Sequence, residues 1–280
     1  MQSFPVAGTP RVLIDLPSAI LDLQTHQEPT VLVQVGAARP GRTADHRAAE
    51  RIEVSADADT VSLFHSGPKM FGMGTAHVRI TAPEGTLLEA RTGNGAITAL
   101  GPWGQATLKT SNGSVRVHSA AGLKAHTSNG TVSVGAVGGR AEITSSNGSV
   151  DVGEVFGDAE LRTSNGDIRV EGAMGRLAAK TSAGSIRVAH SRGESTLKTS
   201  AGAISVASLE SGSLSAVTSV GEIDVDVAPG VAVWVDAHSK AGSVLNELRA
   251  TDGPASEATA ELRATTSLGT VRLRRLAAQG

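Results

Sequence analysis

Residues Ala106 to Ser119 read ATLKTSNGSVRVHS, and the four-residue phrase inside them, TSNG, returns along the chain with small changes. Its versions are TGNG, TSNG, TSNG, SSNG, TSNG, TSAG, TSAG and TSVG, ending at Gly95, Gly113, Gly130, Gly148, Gly166, Gly184, Gly202 and Gly221. The gaps between those glycines are 18, 17, 18, 18, 18, 18 and 19 residues. A period that short excludes paired-helix repeats and marks one supersecondary unit that buries its apolar face only against its neighbours.

Each unit alternates. Ala106 and Leu108 are apolar while Thr107 and Lys109 are polar, and past the phrase Val115 and Val117 alternate with Arg116 and His118. Period two is the pattern of a strand. The second and fourth positions after each glycine carry Val115/Val117, Val132/Val134, Val150/Val152, Ile168/Val170, Ile186/Val188, Ile204/Val206 and Ile223/Val225, all β-branched. Equivalent side chains stacked on one another build a continuous core, so the pattern predicts an all-β fold: a single parallel β-solenoid, or β-helix, with about 18 residues per coil. A second glycine at Gly122, Gly139, Gly157, Gly175 and Gly193 divides a coil into two strand-and-turn halves. Asn-Gly suits a corner because both residues tolerate positive φ, and Asn94, Asn112, Asn129, Asn147 and Asn165 should stack as an amide ladder. Coils about 4.8 Å apart would make ten of them a rod of order 50 Å.

The chain, 1–280, reads as a single domain: irregular N-terminal strands acting as a cap over 10–91, regular repeats over 92–225, and looser closing coils over 226–276. Arg11 to Val35 holds three short alternating runs, Gly36 to Glu50 a surface loop with a helical turn in DHRAAE, and RIEVSADADTVSLFH a hairpin around Ala56 to Asp59. Loops are expected at Ser66 to Gly74 and Thr251 to Ala258, and Gly242 and Gly269 mark the last corners. The segment before Thr75 should cover the first coil. The final strand GTVRLRRL should guard the other end with Arg272, Arg274 and Arg275, giving a monomer or small oligomer rather than a fibre.

A formal net charge of −2 gives no global electrostatic case for nucleic acid or an anionic membrane. The absence of cysteine excludes disulfides and thiolate metal sites. MQSFPVAGTPR lacks a basic region followed by an apolar one, and no apolar run reaches the roughly 18 residues of a spanning helix, so the expectation is a cytoplasmic protein without direct membrane insertion.

The succession APEGTLLEARTGNG (Ala82 to Gly95), TSNGSVRV-like units, APGVAVWVDAHSKAGSV (Ala228 to Val244) and TSLGTVRL (Thr266 to Leu273) resembles the bacterial β-strand-repeat, adhesin-like proteins that carry the Toastrack domain of unknown function. The resemblance spans roughly residues 10 to 275. It implies the solenoid and a link to envelope or stress functions, and it brings no catalytic motif.

Candidate sites lie on the outward columns. Lys109, His126, Thr144, Arg162, Lys180 and Lys198 form a column that is basic at most coils, a contact for an anionic partner or an ordinary solvated face. Trp103, Phe156 and Met174 share one corner position, a contact patch if exposed and the end of the core if not. Glu142 and Glu160 adjoin in successive coils, superficially like the carboxylate pair of a retaining glycosidase, but Arg140 and Arg162 flank them and make a solvated ion cluster the plainer reading. NGS and NGT at Asn112, Asn129 and Asn147 match the glycosylation acceptor, a match that any corner followed by a Ser/Thr-rich strand produces. The eight histidines show no HExxH spacing, GMGTAH lacks the third glycine of a dinucleotide loop, and there is no phosphate loop or GxSxG, so no metal or cofactor is expected. The sequence therefore reads as a non-enzymatic interaction or scaffold module with a protein partner. The alternatives are a glycan-active parallel β-helix enzyme and a polymerising scaffold like the bactofilins.

Overall fold

The computed structural model describes residues 1–67, 74–248 and 258–277. The chain is all-β and forms two compact units, residues 1–139 and 140–280. The loops expected at Ser66 to Gly74 and Thr251 to Ala258 fall largely outside the described residues.

In the first unit the repeats Leu87–Asn94, Ile97–Asn112, Val115–Asn129 and Val132–Val137 pair in parallel. Ile97 lies opposite Val115, and Val115 opposite Val132, so the inward β-branched column is continuous and each member is buried. The strand beside this array is not its neighbour in sequence. Arg11–His26 runs parallel to Leu87–Asn94 through residues 11–18 and to Ile97–Asn112 through residues 21–24. On its other side lie Thr60–His65 and Ala76–Pro83, also parallel. The N-terminal strands therefore stack out of sequence order: the first long strand is sandwiched one layer in, and later strands lie outside it.

That outer layer is closed by antiparallel pairing. Ile52–Asp57 and Thr60–His65 form the expected hairpin with Ala58 and Asp59 at its tip, where Ala58 has φ +47°. Thr30–Ala37 pairs antiparallel with Ala76–Pro83, and Gln2–Pro5 with Thr30–Ala37. The helical turn expected in DHRAAE is a helix over Thr43–Glu50 whose Asp45 side chain is fully buried. Gly74 admits the helix closely, because a Cβ there would sit 2.1 Å from the Ala44 carbonyl carbon.

The second unit repeats the parallel scheme through Ala141–Asn147, Val150–Val155, Ala159–Arg162, Ile168–Ala173, Leu177–Lys180, Ile186–Ala201 and Ile204–Val220. Val150, Ile168, Ile186 and Ile204 stack in register and each is 0% exposed. Past Ile204–Val220 the order again departs from sequence. Thr259–Leu268 inserts between Ile204–Val220 and Ala232–Ala241, and Val271–Arg275 between Ile223–Val227 and Val244–Asn246. The corner glycines record the exchange: a Cβ on Gly269 would meet Gly221 O at 2.1 Å, and one on Gly242 would meet Gly269 O at 2.0 Å.

This corrects the expectation that the final strand guards the end with charge. Val271–Arg275 is flanked on both sides through Leu273, and its arginines are engaged: Arg272 with Asp224 at 2.8 Å, Arg274 with Asp226 at 3.0 Å, and Arg275 with the carbonyls of Ala228 and Val231. The outermost described strands of this unit are Ala232–Ala241 and Val244–Asn246.

Candidate functional site

The corner phrase is built residue by residue. Its threonine is buried and its hydroxyl donates to the corner carbonyl of the adjacent repeat: Thr110 to Gly95 O and Thr127 to Gly113 O in the first unit, Thr163 to Gly148 O, Thr181 to Gly166 O and Thr199 to Gly184 O in the second, at 2.9–3.0 Å. The asparagines form the expected ladder, Asn112 Nδ2 donating to Asn94 Oδ1 at 2.8 Å, Asn129 to Asn112 at 2.9 Å, and Asn165 to Asn147 at 2.9 Å. None of these asparagines has positive φ, so the reason for Asn is the stacked amide rather than backbone tolerance. The amides serve each other across the corner, which makes the column structural chemistry. The threonine ladder escaped the sequence reading, although a Thr or Ser at the start of each of the eight phrases was its signal.

The basic column is real within each unit. In the first, Lys109 lies between Arg91 and His126. In the second, Thr144, Arg162, Lys180 and Lys198 are successive cross-strand partners, followed by exposed Val217. Arg162 pairs with Glu160. Lys180 and Lys198 stand side by side, exposed, and form no ion pair with any described residue.

The neighbouring column is charge-balanced. Arg169 reaches Asp151 at 3.0 Å and Asp167 at 2.8 Å, and Arg187 reaches Asp167 at 3.1 Å. Asp167 also accepts the Ser185 N–H at 2.9 Å; that bond, with the Arg187 guanidinium, holds its carboxyl below the usual range against the opposing effect of partial burial.

Trp103 does not join Phe156 in a surface patch. Each is eighth after its corner glycine, but the register slips between Ala99 and Pro102 and sets Trp103 opposite Ala120, an inward position. Trp103 is 2% exposed, while Phe156, after the unbulged strand Val150–Val155, is 58% exposed. Glu142 and Glu160 are cross-strand neighbours, as expected, and Glu160 is held by Arg162 and, at 3.7 Å, by Arg140. The arrangement is an ion cluster on an open face. A shallow trough floored by Ser213 and Ser215 lies between Glu194 and Thr196 on one side and Glu261 and Arg263 on the other. Its carboxylates are also paired, Glu194 with Arg176 at 3.1 Å and Glu261 with Arg263 at 2.7 Å. Among the described residues no group of histidine and carboxylate side chains could hold a metal ion, and no helix is long and apolar enough to cross a membrane.

In-register parallel strands, corner ladders of Thr and Asn, and charge arranged in outward columns define an all-β repeat protein. The chain belongs to the family Toastrack DUF4097, whose model matches residues 14–274. Solved structures with a similar course include a candidate adhesin from Bacteroides fragilis, 14% identical, covering 98% of this chain and 95% of that one with a TM-score of 0.40. A candidate lipid-binding protein from Parabacteroides distasonis is 14% identical, with coverage of 99% and 96% and a TM-score of 0.45. A candidate adhesin from Parabacteroides merdae is 11% identical, with coverage of 99% and 95% and a TM-score of 0.38. No curated protein matches the chain.

Proposed function

We propose that the chain is a parallel β-solenoid with about 18 residues per coil that works as a non-catalytic interaction module, engaging an acidic protein segment through Arg162, Lys180 and Lys198. The observation that carries the reading is the adjacency of Lys180 and Lys198 without a described counter-ion. Side chains so paired start about 5 Å apart at Cβ, where like charges repel, and a carboxylate bridging them reverses the sign. Lys109, beside Arg91 and His126, offers similar chemistry in the first unit, and exposed Phe156 an apolar contact in the second. The paired state of Glu142's neighbour Glu160 supports the absence of catalysis.

Isothermal titration with a polyglutamate peptide tests the reading. Binding that weakens with salt, is lost in a Lys180→Glu/Lys198→Glu variant and survives Arg187→Glu, a cation already paired with Asp167, is the expected result. Equal affinity in both variants rejects the site. Cleavage of any member of a polysaccharide panel, abolished by Glu160→Gln, rejects the non-catalytic assignment.

A further inference from the structure

Five exposed apolar side chains cluster at one end of the second unit, while others, Phe64, Leu100 and Phe156 among them, are scattered singly. Val220, Trp234, Val244, Leu245 and Leu268 are all there, and Trp234 is 55% exposed with the Arg263 guanidinium 5.7 Å from its ring centre. The core-facing residues of the outermost strand, Val233, Val235 and Ala237, are only half-buried, whereas their counterparts one layer in, Leu262 and Ala264, are fully buried. The core is therefore open at this end among the described residues. The outer layer of the first unit differs: there Val61, Leu63, Val31 and Val33 are buried behind antiparallel strands.

Ala232–Ala241 pairs with Thr259–Leu268 on one side and with no described strand on the other. Its backbone phase is fixed, because the Ala232 N–H donates to Ala258 O at 3.0 Å. In a parallel ladder the amide groups alternate sides, so the N–H and C=O of residues 233, 235 and 237 point to the open side. The outward side chains on the same strand are Trp234, Asp236, His238 and Lys240.

From this edge we infer that a second copy of the chain docks antiparallel along Ala232–Ala241, about a two-fold axis at Ala237. The axis is set by two independent features. It makes Ala237 a hydrogen-bonded pair with its copy, as the backbone phase requires. It also brings Asp236 and His238, which meet at 2.7 Å within one strand, against the same two residues of the copy, and sets Trp234 opposite Lys240: a four-residue polar cluster at the axis and a cation–π pair made twice. Centring on Val235 instead sets Trp234 against Asp236 and loses both. The two-fold contact uses the open edge of each copy and closes on itself, so the product is a dimer and not a fibre.

Sedimentation over a concentration series, on the full chain and on two variants of opposite charge, tests this. Asp236→Lys gives an edge with only cations; His238→Glu/Lys240→Glu gives one with only anions. The wild type should dimerise, each variant alone should dimerise at least about tenfold more weakly, and an equimolar mixture of the two should restore a heterodimer. Matching heat-unfolding midpoints confirm that both variants fold. A monomeric wild type, a dimer unaffected in both variants, growth into longer polymers, or a mixture that stays monomeric overturns the inference; capture of a foreign strand by a monomeric wild type counts among these.

Discussion

The hydroxyl of Thr181, 1% exposed, donates to the carbonyl of Gly166 at 3.0 Å, tying the start of one corner to the end of the previous one. The isosteric change Thr181→Val keeps the shape and removes the donor from a buried carbonyl. It should cost about 1–2 kcal/mol, and Thr181→Ser should recover most of that loss. Urea midpoints of the three proteins measure it; no difference between Val and Thr would mean that the hydroxyl ladder contributes nothing.

Inward and outward positions one residue apart should differ sharply. Ile168 is 0% exposed between Val150 and Ile186, so Ile168→Ala should cost about 2–5 kcal/mol. Arg169, half in solvent, loses two ion pairs on truncation, and Arg169→Ala should cost less than about 1 kcal/mol. Equal shifts in the unfolding midpoint would contradict the assignment of the two faces.

Glycines at corners and at open turns should behave differently. Gly184 combines φ +148° with a hypothetical Cβ 2.1 Å from Gly166 O, a clash with backbone that cannot move without displacing the neighbouring repeat. Gly85 has φ +77° and nothing within 4 Å. Gly85→Ala should therefore cost only the left-handed penalty of about 1–2 kcal/mol. Gly184→Ala should cost clearly more, enough to lower expression or the melting temperature severely.

These contrasts show what the sequence could disclose. Period, inward column and corner glycines were legible because each repeat states them again, and the Ala58–Asp59 hairpin because strand alternation resumes on both sides of it. The exchanged order at the ends was not legible. Arg11 to Leu16 alternates in the same way whether its neighbour is Thr60–His65 or Leu87–Asn94, and the pairing of Val220 with Leu268 spans a distance in sequence that no local pattern encodes. Trp103 was grouped with Phe156 because counting from the corner glycine does not show the one-residue slip between Ala99 and Pro102. On the surface, the cross-strand adjacency of Lys180 and Lys198 followed from counting, whereas the pairing of Arg272 and Arg274 with Asp224 and Asp226 required the exchanged order.

The last prediction concerns acid and the helix Thr43–Glu50. The buried Asp45 carboxylate accepts the Arg39 Nε–H at 2.7 Å and the Thr75 N–H at 2.9 Å. The Arg39 bond first, and the Thr75 bond second, hold its carboxyl below the ordinary range, while burial works in the opposite direction. A folded-state value below the unfolded one means that the unfolded chain binds the proton more readily, so the contribution is complete above the ordinary carboxylate pKa of about 3.9 and disappears as pH falls through the lowered folded value. The helix should therefore keep its protection at neutral pH and lose it in strong acid, before the strands of the core do. Asp45→Asn should show the loss already at neutral pH, because the amide can neither carry the charge nor satisfy both donors in the same way. Amide hydrogen exchange of residues 43–50, corrected for the intrinsic pH effect, reads this directly. Helix protection that stays constant from neutral pH to below 3, or an Asp45→Asn variant with the same pH profile as the wild type, would show that Asp45 does not hold the helix in place.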